Sequence, residues 1–468
     1  MLAARAVYSP NMDALKSAID TFFSFPAYVM LPIIIFLIAL IVRMKLKEAV
    51  IATIRLAAGF AGVFIAFDFF VSQIAPAVQS LMEIRGIDFP VLDVGWPPLA
   101  AITWSNPIAP LSIPLVIGLN MVLLAFGLTR TLYIDIWNYW HFALLGVLVN
   151  VVTGSLWLGI LATLILAVYA FKMVEWTAHD VQREVGIPGV SASPVSVNGI
   201  IPYTVLWDRI FDAIPGIRRI DYNPGKKKGN RTDLLGEPMV IGILIGLVLG
   251  IAAGYNLKQL LTLAVNIAAV MFLLPKSAAL IGEGMTPVTQ HLRTAVEKRF
   301  PSRSNLVVAL DTGILMHHRS VTVTGLLLMP IAIGLSLILP GNKVLPLGDL
   351  PNLISVMSLS VLLFRGNVFR AVISGIPLLV GYLYISSSLA PFYTDLADEV
   401  GAVPEGAGLI TAFTDGGHHV RYLLLEAFQG RWWAIVACVA VLGLVVLTWQ
   451  RYRTMTQAQV EETDADLP

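Results

Sequence analysis

The amino-acid sequence predicts an all-α polytopic membrane protein with about eleven transmembrane helices, re-entrant hairpins and an inverted-topology repeat. Three observations carry that reading. Of 468 residues, 57% are hydrophobic and 13% charged, about half the charged share of a soluble domain. Charge-free runs long enough to cross a hydrocarbon layer of about 30 Å recur along the chain. A tetrad, Leu92-Asp93-Val94-Gly95, returns as Leu310-Asp311-Thr312-Gly313. The net charge of +1 argues against nucleic acid as a partner.

The first run, Pro26–Val42, ends at Arg43 with no small-residue cleavage site after it, so it reads as a span rather than a removable signal. Leu56 to about Ile74 follows, interrupted by Asp68, which is expected to pair with a basic partner in the scaffold. Then come Pro107–Leu128, Ala143–Phe171, the weaker Val195–Ile210, Pro238–Leu257, Gln259–Pro275, Ser320–Asn342, Leu350–Phe364, Ala371–Thr394 and Trp432–Gln450. With the N-terminus outside and the C-terminus cytoplasmic, the five basic loops fall inside, including Arg43 to Arg55, Arg218 to Arg231 and Arg293 to Arg303. The acidic stretch Asp395 to Glu405 falls outside.

By that parity the two tetrads lie on opposite sides. Each follows a span, a proline and a polar segment, and each precedes another span. Thr129 to Asn138 has a counterpart in Gly341 to Asn352, with Asp135 and Asp349 in similar places. The expected organisation is an N-terminal segment (1–25), a first repeat (26–215), a basic cytoplasmic loop (216–236) and a second repeat (237–395). An outer loop with a re-entrant segment (396–431), a last helix (432–450) and a cytoplasmic tail (451–468) complete it. Inverted repeats of this kind hold a substrate between their halves near midplane.

Asp135-Ile136-Trp137-Asn138-Tyr139-Trp140-His141 opens a run that continues to Phe171 without Asp, Glu, Lys or Arg after Asp135. Its head is too polar for lipid and is expected to dip in where protein or water shields it, with about 143–171 crossing. Aromatic faces pack on C–H surfaces while Asn, Asp and His bond hydroxyls, which suits a sugar-sized ligand. His141 either donates to a ligand hydroxyl, or orients one for reaction, or is a core histidine satisfied by a carbonyl. Asn138 lies about one turn away and Asp135 about two, Asp135 reading as structural. Asp93 and Asp311, at re-entrant turns, either accept ligand hydroxyls or cap the helices that follow. Among Trp96, Trp137 and Trp140, Trp96 is the candidate for stacking on the ligand, against a belt role for all three.

Asn367, in Arg365-Gly366-Asn367, is the candidate for the second half of the site. Glu237 opens a span, where a helix N-terminus favours a carboxylate in any case. Asp415-Gly416-Gly417-His418-His419 is a candidate outer gate whose glycines permit close backbone approach. His317, in His317-His318-Arg319, sits near a presumed substrate loop; adjacent histidines diverge on a helix, so no metal site is expected. With no phosphate loop or nucleotide fingerprint, no cofactor is expected and ATP does not drive the protein directly. Cys438 lies inside the last apolar run and reads as inert packing.

With these segments in view, the chain resembles the membrane subunit (IIC) of the galactitol family of bacterial sugar phosphotransferase systems (PTS), in the ascorbate–galactitol superfamily. The resemblance runs from about Phe25 to Arg453. It rests on Val91-Leu-Asp-Val-Gly-Trp-Pro97, Asp135-Ile-Trp-Asn-Tyr-Trp-His141, Gly236-Glu-Pro238, Leu310-Asp311, Leu345-Pro-Leu-Gly-Asp-Leu350, Arg365-Gly-Asn367 and Asp415-Gly-Gly417, among other short matches in one order. It implies a multi-pass protein of the bacterial cytoplasmic (inner) membrane that binds galactitol or a related polyol. It also implies a homodimer whose core domain moves against a scaffold in an elevator-like displacement. Phosphorylation would come from a phosphocysteine on a separate IIB subunit, with IIA also a separate chain and no phosphoryl-carrying residue here. The loop Arg218–Arg231 is the expected docking surface for IIB. The chain departs from the family pattern at Gly189-Val190-Ser191-Ala192, His317-His318-Arg319 and His418-His419-Val420-Arg421, which leaves another polyol or a sugar acid open. The alternative class is an ion-coupled secondary transporter for a polyol or sugar acid, with Asp93, Asp311 and His141 as the coupling relay.

Overall fold

The computed structural model describes residues 25, 27–86, 88–135, 137–224, 238–299, 306–404 and 407–465. Glu237 and the basic stretch 225–231 lie outside the described residues, as do the side chains of Asp68 and Trp137. Six described helices are long and apolar enough to cross a membrane: Ile108–Ala125, Leu156–Val185, Leu257–Val288, Arg319–Ile338, Val368–Glu399 and Trp432–Gln457. The protein is therefore a multi-span membrane protein. Four shorter apolar helical stretches accompany them: Pro32–Ile41, Trp140–Thr153, Met239–Ala252 and Leu350–Leu363.

Four helices pack into one unit. Leu46–Arg85 has 40 residues and Leu257–Arg299 has 43. At 1.5 Å per residue each is about 60 Å long, twice the hydrocarbon thickness. They lie side by side, with Ala27–Ile41 and Pro238–Ala252 against them. Small residues set the approach. A Cβ on Gly59 would sit 2.7 Å from the Ile281 nitrogen, and one on Gly284 would sit 2.6 Å from the Ala52 carbonyl oxygen.

The second body holds two small parallel sheets in which short strands satisfy non-helical backbone. Strands β1 (Val91–Asp93), β5 (Val344–Leu345) and β6 (Leu409–Thr411) form one, in the order β5-β1-β6. Strands β2 (Thr131–Tyr133), β3 (Val190–Ala192) and β4 (Val307–Leu310) form the other, in the order β2-β4-β3. In register, Val91 faces Val344 and Leu409, while Val308 faces Leu132 and Val190. Each sheet thus takes its central strand from one half of the chain and its flanking strands from the other. Each central strand leads into an aspartate: Asp93 is the last residue of β1, and Asp311 directly follows β4.

Three expected crossings take other forms. Val195–Ile210 is divided between a short helix, Val195–Asn198, and Ile201–Ala213, whose 13 residues are too few to span the hydrocarbon layer. The stretch 143–171 is a helical hairpin: Trp140–Thr153 stops at Gly154 (φ 68°), and Leu156–Val185 starts after Ser155, whose hydroxyl accepts the Leu158 N–H. Gly146 and Gly159 let the two helices touch, since a Cβ on Gly159 would lie 2.6 Å from the Gly146 carbonyl oxygen. Residues 140–149 are buried throughout, so this apolar run faces protein rather than lipid. The stretch from Leu350 to Phe364 is likewise buried and broken into a 3-10 turn (Leu350–Asn352) and two short helices (Leu353–Val356 and Ser358–Leu363). Hydropathy cannot separate a helix buried in protein from one that crosses lipid.

Candidate functional site

A cavity of about 520 Å³ lies where the four-helix unit meets the tips of both sheets. Phe60, Val63, Ser72 and Ile281 of the long helices line one side. The first sheet's end contributes Trp96, Gly348, Asp349, Asn352 and Asp415; the second sheet's end contributes Asn138, Ser196, Asp311 and Thr312. Trp140 and His141 complete the wall.

The aspartate that ends β1 is wholly engaged. Asp93 is 3% exposed. Its Oδ1 accepts backbone N–H bonds from Gly95 (3.1 Å) and Phe413 (3.0 Å), and its Oδ2 accepts from Leu347 (2.9 Å) and Asp349 (3.0 Å). A carboxylate holding four backbone donors is a pin between three segments, and Asp93 does not line the cavity. The expected ligand contact therefore becomes a framework role at this position.

Asp311 differs. It accepts the Gly313 N–H at 2.9 Å and a longer contact from Asn138 Nδ2 at 3.4 Å, and it lines the cavity. Asp135 stands one layer back: its Oδ2 accepts from Asn138 Nδ2 (2.6 Å) and from the Ser193 hydroxyl. Asp349 uses Oδ2 for the N–H groups of Thr414 (2.8 Å) and Asp415 (3.1 Å) and for the Thr414 hydroxyl. Asp349 Oδ1 and Asp415 Oδ1 are buried acceptors without a hydrogen bond among the described residues. Asn352 Nδ2 donates to the Thr414 hydroxyl at 2.8 Å and approaches Asp415 Oδ2 at 3.4 Å.

Aromatic rings back this polar rim. Trp140 stacks on His141 with centroids 4.0 Å apart, and Trp96 lies 6.1 Å from Trp140. His141 Nδ1 is 3.2 Å from Arg421 Nη2 and 3.4 Å from Asp415 Oδ1. Among the described residues no Lys or Arg lines the cavity.

Two other candidates sit away from it. Asn367 caps the helix Val368–Glu399, accepting the Arg370 N–H at 3.2 Å and donating to the Ile220 carbonyl at 2.7 Å. His418 caps the helix His419–Phe428: Nδ1 accepts the Arg421 N–H at 3.2 Å, and Nε2 meets the Val195 carbonyl at 3.0 Å. For both, unpaired helix-end groups supply the physical reason for the residue. His317 is exposed and is not a cavity residue. Burial, with His317 beside it, pushes the His318 imidazole below its ordinary pKa against the pull of Glu184. Of the expected contacts, the cavity gathers Trp96, Asn138, His141, Asp311 and Asp415.

The sequence reading did not single out Asp349, Asn352 or Arg421 as site residues, and it preferred Trp96 to Trp140. A signal for the first two was present. Asp135-x-x-Asn138 recurs as Asp349-x-x-Asn352, each ending within a 3-10 turn. Arg421 was visible as an ionisable residue within the expected re-entrant segment, a functional flag in its own right, but it entered only as part of a departure from the family pattern.

Comparison with known proteins shows the family. The family model EIIC-GAT, described as the PTS system sugar-specific permease component, matches residues 21–406. The chain belongs to that family. Among curated relatives, the PTS system galactitol-specific EIIC component of Escherichia coli (strain K12) is 32% identical over 428 residues, covering 91% of this chain and 94% of the relative. The protein of that name from Escherichia coli O157:H7 matches to the same extent. A putative permease IIC component of strain K12 is 33% identical over 430 residues, covering 92% of this chain and 98% of its own length. In this sugar-permease family member, the cavity is the place where ring faces, carboxyl groups and amides converge.

Proposed function

We propose that this permease subunit binds galactitol, or a closely related polyol, in the cavity between the four-helix unit and the sheet-bearing body. It then delivers the polyol to a separate phospho-IIB subunit at the cytoplasmic face of the bacterial inner membrane. The observation that carries this reading is the character of the cavity wall. Asp311, Asp349 and Asp415 offer acceptors for ligand hydroxyls, His141 and the Trp96–Trp140 pair offer a ring surface, and no described cation lines the site. A hydroxyl-rich neutral molecule matches that wall. A sugar acid would place a carboxylate among carboxyl groups, at a Coulombic cost in a low-dielectric site. The phosphorylated product meets the same repulsion, which favours its release and, once it is charged, its retention inside.

The order of elements supports an inverted repeat. Exchanging β1 with β4, β2 with β5 and β3 with β6 converts one sheet order into the other. The long helices Leu46–Arg85 and Leu257–Arg299 hold equivalent places ahead of β1 and β4. On this reading the second repeat continues to Phe428, because β6 and the helix His419–Phe428 answer β3 and the helix Ile201–Ala213. A cavity between two bodies is the geometry an elevator displacement requires: the sheet-bearing body carries the ligand past the four-helix unit, which holds the homodimer. Arg218 and Arg219 begin the loop on which IIB would dock.

The test is uptake of labelled galactitol into vesicles holding this chain, with purified IIA, IIB and the general phosphorelay proteins plus phosphoenolpyruvate supplied or withheld. Galactitol phosphate formed only with the relay is the expected result. Free galactitol accumulating without the relay, and collapsing with an ionophore, would overturn it in favour of ion-coupled transport.

A further inference from the structure

We propose that Arg421 is a positioning residue: it fixes the tautomer of His141 and so turns Nε2 into a hydrogen-bond donor for a ligand hydroxyl. The inference rests on His141 belonging to a polyol site, as argued above.

The Arg421 side chain is 2% exposed, and its hydrogen bonds do not go to a carboxylate. Nη1 donates to the Asp415 backbone carbonyl, and Nη2 reaches His141 Nδ1 at 3.2 Å. The Asp415 carboxylate oxygen Oδ1 is 3.9 Å from Nη2, and Nε has no hydrogen bond among the described residues. A buried guanidinium is costly unless it is paired and bonded. Here its directed bonds are spent on a carbonyl and an imidazole, an arrangement that stabilises little and orients much.

The chemistry of the contact decides the proton's position. A guanidinium N–H can only donate. Nδ1 must then present its lone pair, and a neutral His141 carries its hydrogen on Nε2. The 3.4 Å contact between Nδ1 and Asp415 Oδ1 is therefore not an ion pair, which agrees with Asp415 Oδ1 having no hydrogen bond. The nearby His418 does not compete, since its ring nitrogens meet the Val195 carbonyl and the Arg421 backbone N–H. Trp140 covers one face of the ring. His141 Nε2–H is left to donate to a hydroxyl oxygen, while that hydroxyl's own hydrogen goes to a carboxyl oxygen of the cavity wall. Each ligand hydroxyl both donates and accepts, so a fixed donor beside fixed acceptors selects hydroxyls over groups that only accept.

The experiment is nitrogen-15 NMR of histidine-labelled protein in lipid bilayers, with the His141 signals assigned by their loss in His141→Gln. The expected wild-type spectrum shows an unprotonated Nδ1 and a protonated Nε2. In Arg421→Met the hydrogen should move to Nδ1, toward Asp415, and galactitol should bind about tenfold more weakly, the loss of one well-placed hydrogen bond. Arg421→Lys, whose ammonium also only donates, should recover part of both. A protonated Nδ1 in the wild type overturns the proposal whether or not the variants fold, and so does an unchanged His141 spectrum in Arg421→Met. An Arg421-dependent tautomer in a protein that binds no polyol would uphold the positioning role and sink the polyol reading instead.

Discussion

The backbone N–H of Asp349 donates to Asp93 Oδ2 at 3.0 Å, across 256 residues of chain. The same carboxylate holds Gly95, Leu347 and Phe413. One side chain therefore ties the end of β1 to the loop after β5 and the segment after β6, and it sets the position of Asp349 in the cavity wall.

Removing that pin should act on stability first. Asp93→Ala leaves four buried N–H groups without their acceptor, at about 1–3 kcal/mol for each that finds no substitute. Thermal unfolding in detergent should show a marked fall in Tm for Asp93→Ala. A wild-type Tm would show that the four bonds are not needed for the frame.

Asp311→Asn should do the reverse, sparing the fold and weakening the ligand. Asp311 makes few internal bonds and lines the cavity. Losing a charge-assisted bond worth about 1.5–3 kcal/mol should raise the galactitol Kd about 10- to 150-fold. Calorimetric titration checks this, with Tm as the control; an unchanged Kd would remove Asp311 from the site.

His141→Ala should abolish relay-dependent uptake while leaving the protein folded, as judged by gel filtration and Tm. The ring lies against Trp140 and Arg421 at the cavity wall rather than in a wholly apolar core. Normal uptake by this variant would place the hydroxyl donor elsewhere.

The last helix should depend on one buried ion pair. Arg451 donates to both Asp180 oxygens, at 2.8 and 2.7 Å, and the Asp180 side chain is fully buried. Among the described residues, Arg451→Met leaves Asp180 with Arg183 alone, 3.0 Å away. Breaking a buried pair from one side typically costs about 3–5 kcal/mol. Protease sensitivity of the Trp432–Ala465 helix should rise accordingly, and unchanged protection would mean that the helix is held by apolar packing alone.

Much of this arrangement was legible in the sequence. The polar head of the stretch Asp135 to His141 marked a segment that could not face lipid, and four of the cavity's polar groups, Asn138, His141, Asp311 and Asp415, came from such motifs. What the chain could not disclose was which member of each matched aspartate pair lines the cavity. Asp93 and Asp311 share a motif, as do Asp135 and Asp349. Asp93 is consumed by four framework N–H groups while Asp311 lines the cavity; Asp135 is held by Asn138 and Ser193, whereas Asp349 lines the cavity although Thr414 and Asp415 hold its Oδ2. That division depends on which donors, backbone or side chain, the fold brings to each carboxyl, a largely tertiary property. The hairpin at Gly154 was hidden for a related reason: burial by protein and burial by lipid leave the same apolar run.

The most direct test of the central claim is titration of the purified protein in lipid nanodiscs with galactitol and, separately, with galactonate, its six-carbon sugar acid. Tryptophan fluorescence reports the binding, since Trp96 and Trp140 line the cavity. A carboxyl-lined wall with no Lys or Arg among its described residues predicts a saturable response to galactitol and none to galactonate over the same concentrations. Galactonate binding as tightly as galactitol would contradict the assignment of this cavity as a neutral polyol site.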